Sequence, residues 1–271
     1  MHKYSGKDEY EKEFLSIFDE LARTSSGWQV WENIITAMAC SISNAADHSE
    51  IHLKQREKEY ERAIKALGDR KKAVRMLALV VMALEKNPEQ DFLGTMYMMR
   101  NLGNHWKGQF FTPYHICHFM AEITMMELDR EALEKKGYIS VADPCVGGGA
   151  MMIAGANVMK SRGVDYKSRV LFVGQDIDRI VAMMAYIQLS ILDCPGYIVV
   201  GDSLCNPMMG HELFPQEKEG LDIWYTPMFM SKVWYDRRRA LIESMAEETD
   251  SSAEKKTAGI GEDYAEMKKT A

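Results

Sequence analysis

The sequence predicts an α/β protein, in which a mostly parallel sheet is covered by helices and preceded by an N-terminal helical domain. In the first hundred positions, apolar residues recur at the spacing of amphipathic helices, as at Phe14, Phe18 and Leu21. From about residue 113, short apolar runs alternate with helical stretches, the order expected of strand–helix–strand units. A chain of 271 residues has room for one sizeable α/β domain and a smaller one.

Turn residues divide the chain into its elements. Ser25–Gly27 separates two helices, Gly68-Asp69 separates a charged helix from an apolar one at 73–85, and Asn87-Pro88 ends that helix. The strand candidates are Tyr138–Ala142, Val170–Gly174, Tyr197–Val200 and Leu221–Tyr225. We therefore expect a helical domain over 1–107, an α/β core over 108–246 with a short sheet, and a flexible polar tail over 247–271.

Composition excludes several classes of protein. The five cysteines never occur as C-x-x-C, and the seven histidines form no ligand pair, so we expect neither disulfides nor a bound metal. The longest apolar run, Met76–Leu84, is far too short for a bilayer, and the N-terminus lacks the apolar core of a secretory signal. We expect a cytoplasmic protein that does not associate with membranes.

A glycine loop is the strongest functional signal. Asp143-Pro144-Cys145-Val146 and three glycines, Gly147–Gly149, follow a strand candidate and precede a helix. Such glycines allow a ligand to approach the backbone, and the helix N-terminus offers free N–H groups. Asp143 can hold a cationic group. The alternative is a tight turn that binds nothing.

A second acid follows the next strand candidate. An acid 20 to 30 residues after such a loop typically binds ribose hydroxyls, and Asp176 is better placed for this than Asp178, which can cap the next helix. The pair predicts an adenosine-bearing ligand, but this spacing does not separate a nicotinamide cofactor from S-adenosylmethionine.

A third segment, Gly108-Gln109-Phe110-Phe111-Thr112-Pro113, stands about thirty residues before the glycine loop. With both motifs the chain resembles the adenine-N6 DNA methyltransferases, especially the modification subunits of type I restriction–modification systems. The resemblance covers roughly residues 88–230. It implies a Rossmann-like S-adenosylmethionine-dependent methyltransferase core, here shortened, with S-adenosylmethionine as cofactor.

The resemblance also implies which residues hold the cofactor. The acid in Gly201-Asp202-Ser203 matches one that lies near the adenine in the family, although an isolated Asp-Ser pair also serves as a helix cap. The complete set of predicted cofactor residues is Gln109, Phe110, Phe111, Thr112, Pro113, Asp143, Pro144, Gly147, Gly149, Asp176 and Asp202.

The fourth family motif departs from its pattern. The family has Asn-Pro-Pro-Phe or Asp-Pro-Pro-Tyr where this chain has Thr226-Pro227-Met228-Phe229. The Asn or Asp oxygen and the proline carbonyl accept the two hydrogens of the adenine amine, and the aromatic ring stacks on the flipped base. Thr226, Pro227 and Phe229 are therefore the catalytic candidates. Since threonine is shorter and can also donate, losing the acceptor costs roughly 10²–10³ in rate.

Two functions remain open from the sequence. One is a DNA adenine-N6 methyltransferase of a restriction–modification-like system, with impaired catalysis. The other is a non-catalytic, cofactor-binding regulatory or structural subunit of a methyltransferase complex. Methylation of a protein side-chain amide would use the same fourth motif and is weakened by the same departure.

Charge distribution indicates the partners. The chain carries a net charge of −7, yet Lys54–Arg75 has nine basic residues against four acidic ones. We expect weak binding of DNA through this stretch, supplemented by a protein partner or a target-recognition subunit. Homo-oligomerisation is also open.

Overall fold

The structure, a computed structural model, describes residues 8–100, 102, 111–125 and 130–246. The chain divides into two compact units, Met1–Ser231 and Lys232–Ala271. The described part of the second unit is mainly one helix, over 232–246. The predicted flexible tail over 247–271 lies outside the described residues. No described helix combines the length and hydropathy that crossing a bilayer requires.

The predicted N-terminal helices are confirmed. They are α1 (Glu9–Leu21), α2 (Gly27–Ala46), α3 (Glu50–Leu67), α4 (Arg70–Lys86) and α5 (Phe92–Met99). Local signals set their ends: Asp8 forms a capping box on α1, Gly68 ends α3 in the left-handed conformation, and the Asp69 side chain caps α4.

All four predicted strands are present, and they form one sheet. Further helices and strands follow in the order α6 (Tyr114–Thr124), α7 (Arg130–Lys135), β1 (Ile139–Asp143), α8 (Ala150–Ser161), α9 (Tyr166–Arg169), β2 (Val170–Asp176), α10 (Arg179–Ile191), β3 (Gly196–Val200), β4 (Gly210–His211), β5 (Phe214–Pro215) and β6 (Asp222–Tyr225). The sheet order is β1-β2-β3-β6, with β4 and β5 paired separately. The α/β class is thereby confirmed.

The direction of β6 sets the geometry of the site. β1, β2 and β3 are parallel, whereas β6 runs antiparallel to β3, pairing Tyr225 with Tyr197 and Asp222 with Val200. Parallel pairing needs a crossover, usually a helix, whereas the connection over 201–221 forms turns and the β4–β5 hairpin instead. The end of β6 therefore lies at the amino end of β3.

One hydrophobic core joins the N-terminal helices to the sheet. It includes Trp31 of α2, Leu79 of α4, Tyr186 of α10, Phe172 of β2 and Trp224 of β6. Residues 1–231 form a single compact unit. The boundary that we predicted at residue 107 lies outside the described residues and stays a prediction. The helices bury their apolar faces against α10 rather than against one another alone.

Arg56 joins α3 to the edge strand β6. Its guanidinium is buried, donates to Ser43 Oγ (2.5 Å) and Asp47 Oδ2 (2.8 Å), and reaches the Ile223 carbonyl (2.6 Å). It also lies 4.2 Å from the centre of the Trp224 ring. We had counted Arg56 among the basic residues of Lys54–Arg75 that would contact DNA. In the structure its side chain is buried and covers the backbone edge of β6.

Candidate cofactor site

The glycine loop has the backbone geometry that its sequence predicts. Gly147 and Gly149 have φ values of +57° and +93°, a region that side chains other than glycine rarely adopt. A Cβ on Gly149 would lie 3.1 Å from the Cα of Ala185 on α10. Gly149 caps α8, and its N–H donates to the Val146 carbonyl at 2.9 Å. The glycines thus allow a tight turn that packs closely on α10.

Three predicted acids lie at one edge of the sheet. Asp143 ends β1, Asp176 ends β2, and Asp202 follows β3, so the parallel order of these strands places all three at their carboxyl ends. This is the edge at which ligands bind in open α/β sheets. Asp178, the fourth acid there, caps α10 by accepting from the N–H groups of Ile180 and Val181, as the sequence suggested.

Asp176 connects the glycine loop to the turn before α10. Its carboxylate accepts from the Gly147 N–H (2.9 Å) and from the Asp178 N–H (2.9 Å). Burial raises the pKa of Asp176, and the negative charges of Asp178 and Asp143 add to the rise, while the two backbone hydrogen bonds oppose it. A cation bound beside Asp176 would relieve this repulsion.

The other acids form turns. Asp143 Oδ1 accepts from the Cys145 N–H at 3.0 Å. Asp202 accepts from the N–H groups of Cys205 and Leu204, and these bonds lower the pKa of its half-buried carboxyl. Pro144 is exposed.

The aromatic segment before α6 meets the glycine loop. The Phe111 ring lies 3.7 Å from the position that a Cβ on Gly147 would occupy, and it stacks on Tyr97 of α5 at 5.3 Å between ring centres. Thr112 and Pro113 are exposed at the start of α6. Gln109 and Phe110 lie outside the described residues. The structure therefore brings Phe111 to the loop, and sequence reasoning did not identify Tyr97.

Thr226 lies at the opposite edge of the sheet. It is 1% exposed, its hydroxyl donates to the Cys194 carbonyl (2.8 Å), and it accepts from the Gly196 N–H (3.0 Å). Gly196 begins β3 whereas Asp176 pairs with Val200 at the other end. At about 3.3 Å per residue, the two edges are about 13 Å apart.

The remaining residues of the fourth motif continue the turn that Thr226 begins. The Pro227 carbonyl accepts from the Met230 N–H at 3.1 Å. The Phe229 ring is buried and stacks on Tyr225, with 5.7 Å between ring centres and 10° between planes. These residues follow the end of β6 at the amino edge of β3, so the structure does not bring the two predicted sets together.

Part of the basic stretch Lys54–Arg75 is engaged within the fold. Lys72 pairs with Glu20 at 3.1 Å, and Arg75 forms two hydrogen bonds with Glu13. The exposed cations of α3 that remain are Lys54, Lys58, Arg62 and Lys65.

A polar cleft of about 490 Å³ lies between α2 and α3. Arg62, Glu59 and Arg179 line it, whereas no residue of the glycine loop does. Among the described residues, no group of three or more His, Cys, Asp or Glu side chains is arranged to hold a metal ion.

Comparisons with known proteins agree with the motifs. The N-6 DNA methylase family model matches residues 88–260. No protein of curated function matches the sequence at a significant level.

The solved structures that are similar to the chain include two methyltransferases. One, described as a class I S-adenosylmethionine-dependent methyltransferase from Listeria monocytogenes, is 15% identical, with 76% of this chain and 58% of that chain covered and a TM-score of 0.37. The other, the methyltransferase subunit of a type I restriction–modification system from Streptococcus thermophilus, is 12% identical, with 75% and 60% covered and a TM-score of 0.37. The chain thus spans about three fifths of the length of each. Because the family model covers well over half of its residues, this chain belongs to the N-6 DNA methylase family.

Proposed function

We propose that this chain binds S-adenosylmethionine at the carboxyl edge of its sheet and does not by itself transfer a methyl group to adenine. It would then be a cofactor-binding regulatory or structural subunit of a methyltransferase complex in a restriction–modification-like system. The observation that supports this most strongly is the separation of Thr226 from Asp176 by the length of β3.

The donor set at the glycine loop fits the cofactor. S-Adenosylmethionine carries a sulfonium, an ammonium and one carboxylate, and the four acids at this edge favour such a net cation. Asp143 would hold the ammonium, Asp176 the ribose hydroxyls and Asp202 the adenine side, while Phe111 would form a wall of the pocket. When bound, the cofactor supplies an electrophilic methyl group.

The state of Thr226 argues against methyl transfer. Reacting atoms must approach to about 3–3.5 Å, and Thr226 lies several times farther from the carboxyl edge. Its hydroxyl already serves as both donor and acceptor to the backbone around Gly196. In this role threonine stabilises the sheet, which accounts for its presence where the family has Asn or Asp.

Calorimetry tests cofactor binding. Wild-type protein should bind S-adenosylmethionine with a micromolar Kd, about −8 kcal/mol. Asp176→Ala should weaken binding strongly. Asp165→Ala, an exposed acid before the amino end of β2, should leave the Kd unchanged. No heat from folded wild type would refute the proposal.

The family membership favours a second candidate, an active adenine-N6 DNA methyltransferase. That activity would require the end of β6 to move to the carboxyl edge. Restoring the family motif with Thr226→Asn and Met228→Pro should then raise methyl transfer to DNA, by up to ~100-fold. On our proposal the double variant gains no activity and loses stability, because Asn must fit a buried site shaped for threonine.

The proposal includes only weak binding of DNA by this chain. The exposed cations of α3 (Lys54, Lys58, Arg62 and Lys65) would bind DNA weakly and with strong salt dependence. Because the chain is acidic overall, a protein partner would supply most of the affinity for DNA.

A further inference from the structure

A buried polar pair lies beneath the glycine loop and has no role in the site as described so far. Asp91 caps the start of α5, and Gln188 is fully buried in the third turn of α10. They come from segments 97 residues apart, and they meet directly behind Gly148. A buried side-chain amide and a buried carboxylate are costly unless their bonds are satisfied, so the contacts of this pair are informative.

The hydrogen bonds of Gln188 fix the orientation of its amide. Nε2 donates to Asp91 Oδ1 (2.7 Å) and to the Gly148 carbonyl (2.8 Å), while Oε1 accepts from the Leu93 N–H (3.0 Å). A flipped amide would place its oxygen against two acceptors and its NH₂ against the Leu93 N–H. Asp91 therefore forces Gln188 to present a donor to the loop.

Gly148 carries the peptide unit that shapes the turn. Its carbonyl belongs to the same planar unit as the Gly149 N–H, which donates to the Val146 carbonyl at 2.9 Å. Gln188 thus holds one end of this peptide and Val146 the other. The neighbouring Gly147 N–H bonds Asp176, so the orientation of the 148–149 peptide is coupled to the proposed cofactor acid.

One oxygen of the buried Asp91 carboxylate, Oδ1, accepts from two neutral donors. The donors are the Gly94 N–H (2.8 Å) and Gln188, and Oδ2 of the same carboxylate lies 3.5 Å from where a Cβ on Gly148 would be. Burial raises the pKa of Asp91, while the bonds from Gln188 and Gly94 oppose the rise. The pair thus fills the space behind the loop.

We infer that Asp91 and Gln188 are positioning residues that set the glycine loop for its ligand, Gln188 by holding the Gly148 carbonyl and Asp91 by orienting Gln188. The inference rests on the proposed function, since the ligand is S-adenosylmethionine. Neither side chain touches the ligand in this scheme. Both act through the 148–149 peptide.

Three substitutions of equal size test the inference. Gln188→Glu replaces the donor to Gly148 with an acceptor and sets two carboxyl groups face to face. Asp91→Asn keeps the acceptor that Gln188 and Gly94 need. Gln90→Glu is the matched control, because the Gln90 amide also donates to two backbone carbonyls, those of Ala83 (2.9 Å) and Asn87 (2.8 Å), away from the loop.

We expect Gln188→Glu to weaken S-adenosylmethionine binding about 10-fold or more, the equivalent of one well-placed hydrogen bond. The loss should be larger at pH 8 than at pH 5.5, because two facing carboxyl groups bind a shared proton at low pH. Asp91→Asn should stay within about threefold of wild type, since it preserves both accepted bonds. Gln90→Glu should lower stability without changing the Kd.

Amide hydrogen exchange provides a second test of the inference, and this test needs no ligand. The N–H groups of Gly147 and Gly149 should exchange faster in Gln188→Glu than in wild type, and at the wild-type rate in Gln90→Glu. Equal Kd values and equal exchange in wild type and Gln188→Glu would overturn the inference. A wild type that binds no S-adenosylmethionine would refute the proposed function, and the exchange rates would still decide whether Gln188 holds the loop.

Discussion

Replacing Thr226 with valine distinguishes a structural threonine from a catalytic one. Valine has nearly the same shape but no hydroxyl, so the buried Gly196 N–H loses an acceptor at 3.0 Å and the Cys194 carbonyl loses a donor at 2.8 Å. An unsatisfied buried donor costs about 1–3 kcal/mol, and the second bond contributes about 1 kcal/mol. We therefore expect Thr226→Val to lower the free energy of unfolding by about 2–4 kcal/mol.

Urea denaturation measures this loss as a lower midpoint at an unchanged slope. Thr124→Val is the matched control, because the Thr124 hydroxyl also donates to a backbone carbonyl, that of Met120 at 2.8 Å, but on an exposed face of α6. A surface change of this kind should stay within about 0.5 kcal/mol of wild type. Wild-type stability for Thr226→Val, together with the loss of a methyl-transfer activity, would refute the structural reading and identify Thr226 as catalytic.

Three further predictions follow from the structure. Arg56→Met should destabilise the protein by about 3–5 kcal/mol in chemical denaturation, because it leaves a buried acid without its cation, whereas Arg62→Met on the exposed face of α3 should be nearly neutral. Because the pKa of Asp176 is raised above 3.8, this carboxyl binds its proton at a higher pH than an ordinary aspartate does. The affinity for S-adenosylmethionine, measured by calorimetry, should therefore begin to fall while the pH is still above 3.8, and full affinity in acid would contradict this. Lys58→Glu with Lys65→Glu should abolish DNA binding in low-salt gel shifts; an unchanged shift would place the DNA surface elsewhere.

The elements of the fold could be predicted because their signals are local. Helical periodicity, cap residues such as Asp69 and breaks such as Gly68 all act within one or two turns of chain. The glycine loop is equally local, since its conformation depends on residues that tolerate positive φ. These features depend on residues that are close together in the sequence, so the sequence alone predicts them.

The direction of β6 could not be read from its own residues. A strand of four residues fits a sheet edge in either direction, so the residues of β6 do not indicate at which edge of the sheet the fourth motif lies. A signal was available in the connection over 201–221, whose Pro207, Gly210, Pro215 and Gly220 favour turns over a crossover helix. Without a crossover helix, the chain can more easily place β6 antiparallel to β3 than parallel to it.

Long-range polar contacts were also beyond sequence reasoning. Arg56 looks like any other cation of α3, and only tertiary packing selects it to bond the Ile223 carbonyl, 167 residues away. Gln188 stands in an apolar helix with no pattern that points to Asp91. A lone polar residue in such a helix is a weak signal of a buried partner.

The most direct test of the account follows the fate of a labelled methyl group in one sample. Wild-type protein is equilibrated with S-adenosylmethionine labelled on the methyl group and with adenine-containing DNA, and label is then counted on the protein and on the DNA. We predict that the wild-type protein retains the label and that unlabelled cofactor displaces it. Asp176→Ala should retain no label, and no label should be transferred to DNA. Label incorporated into adenine at many turnovers per protein would contradict the account, and so would a folded protein that retains no label.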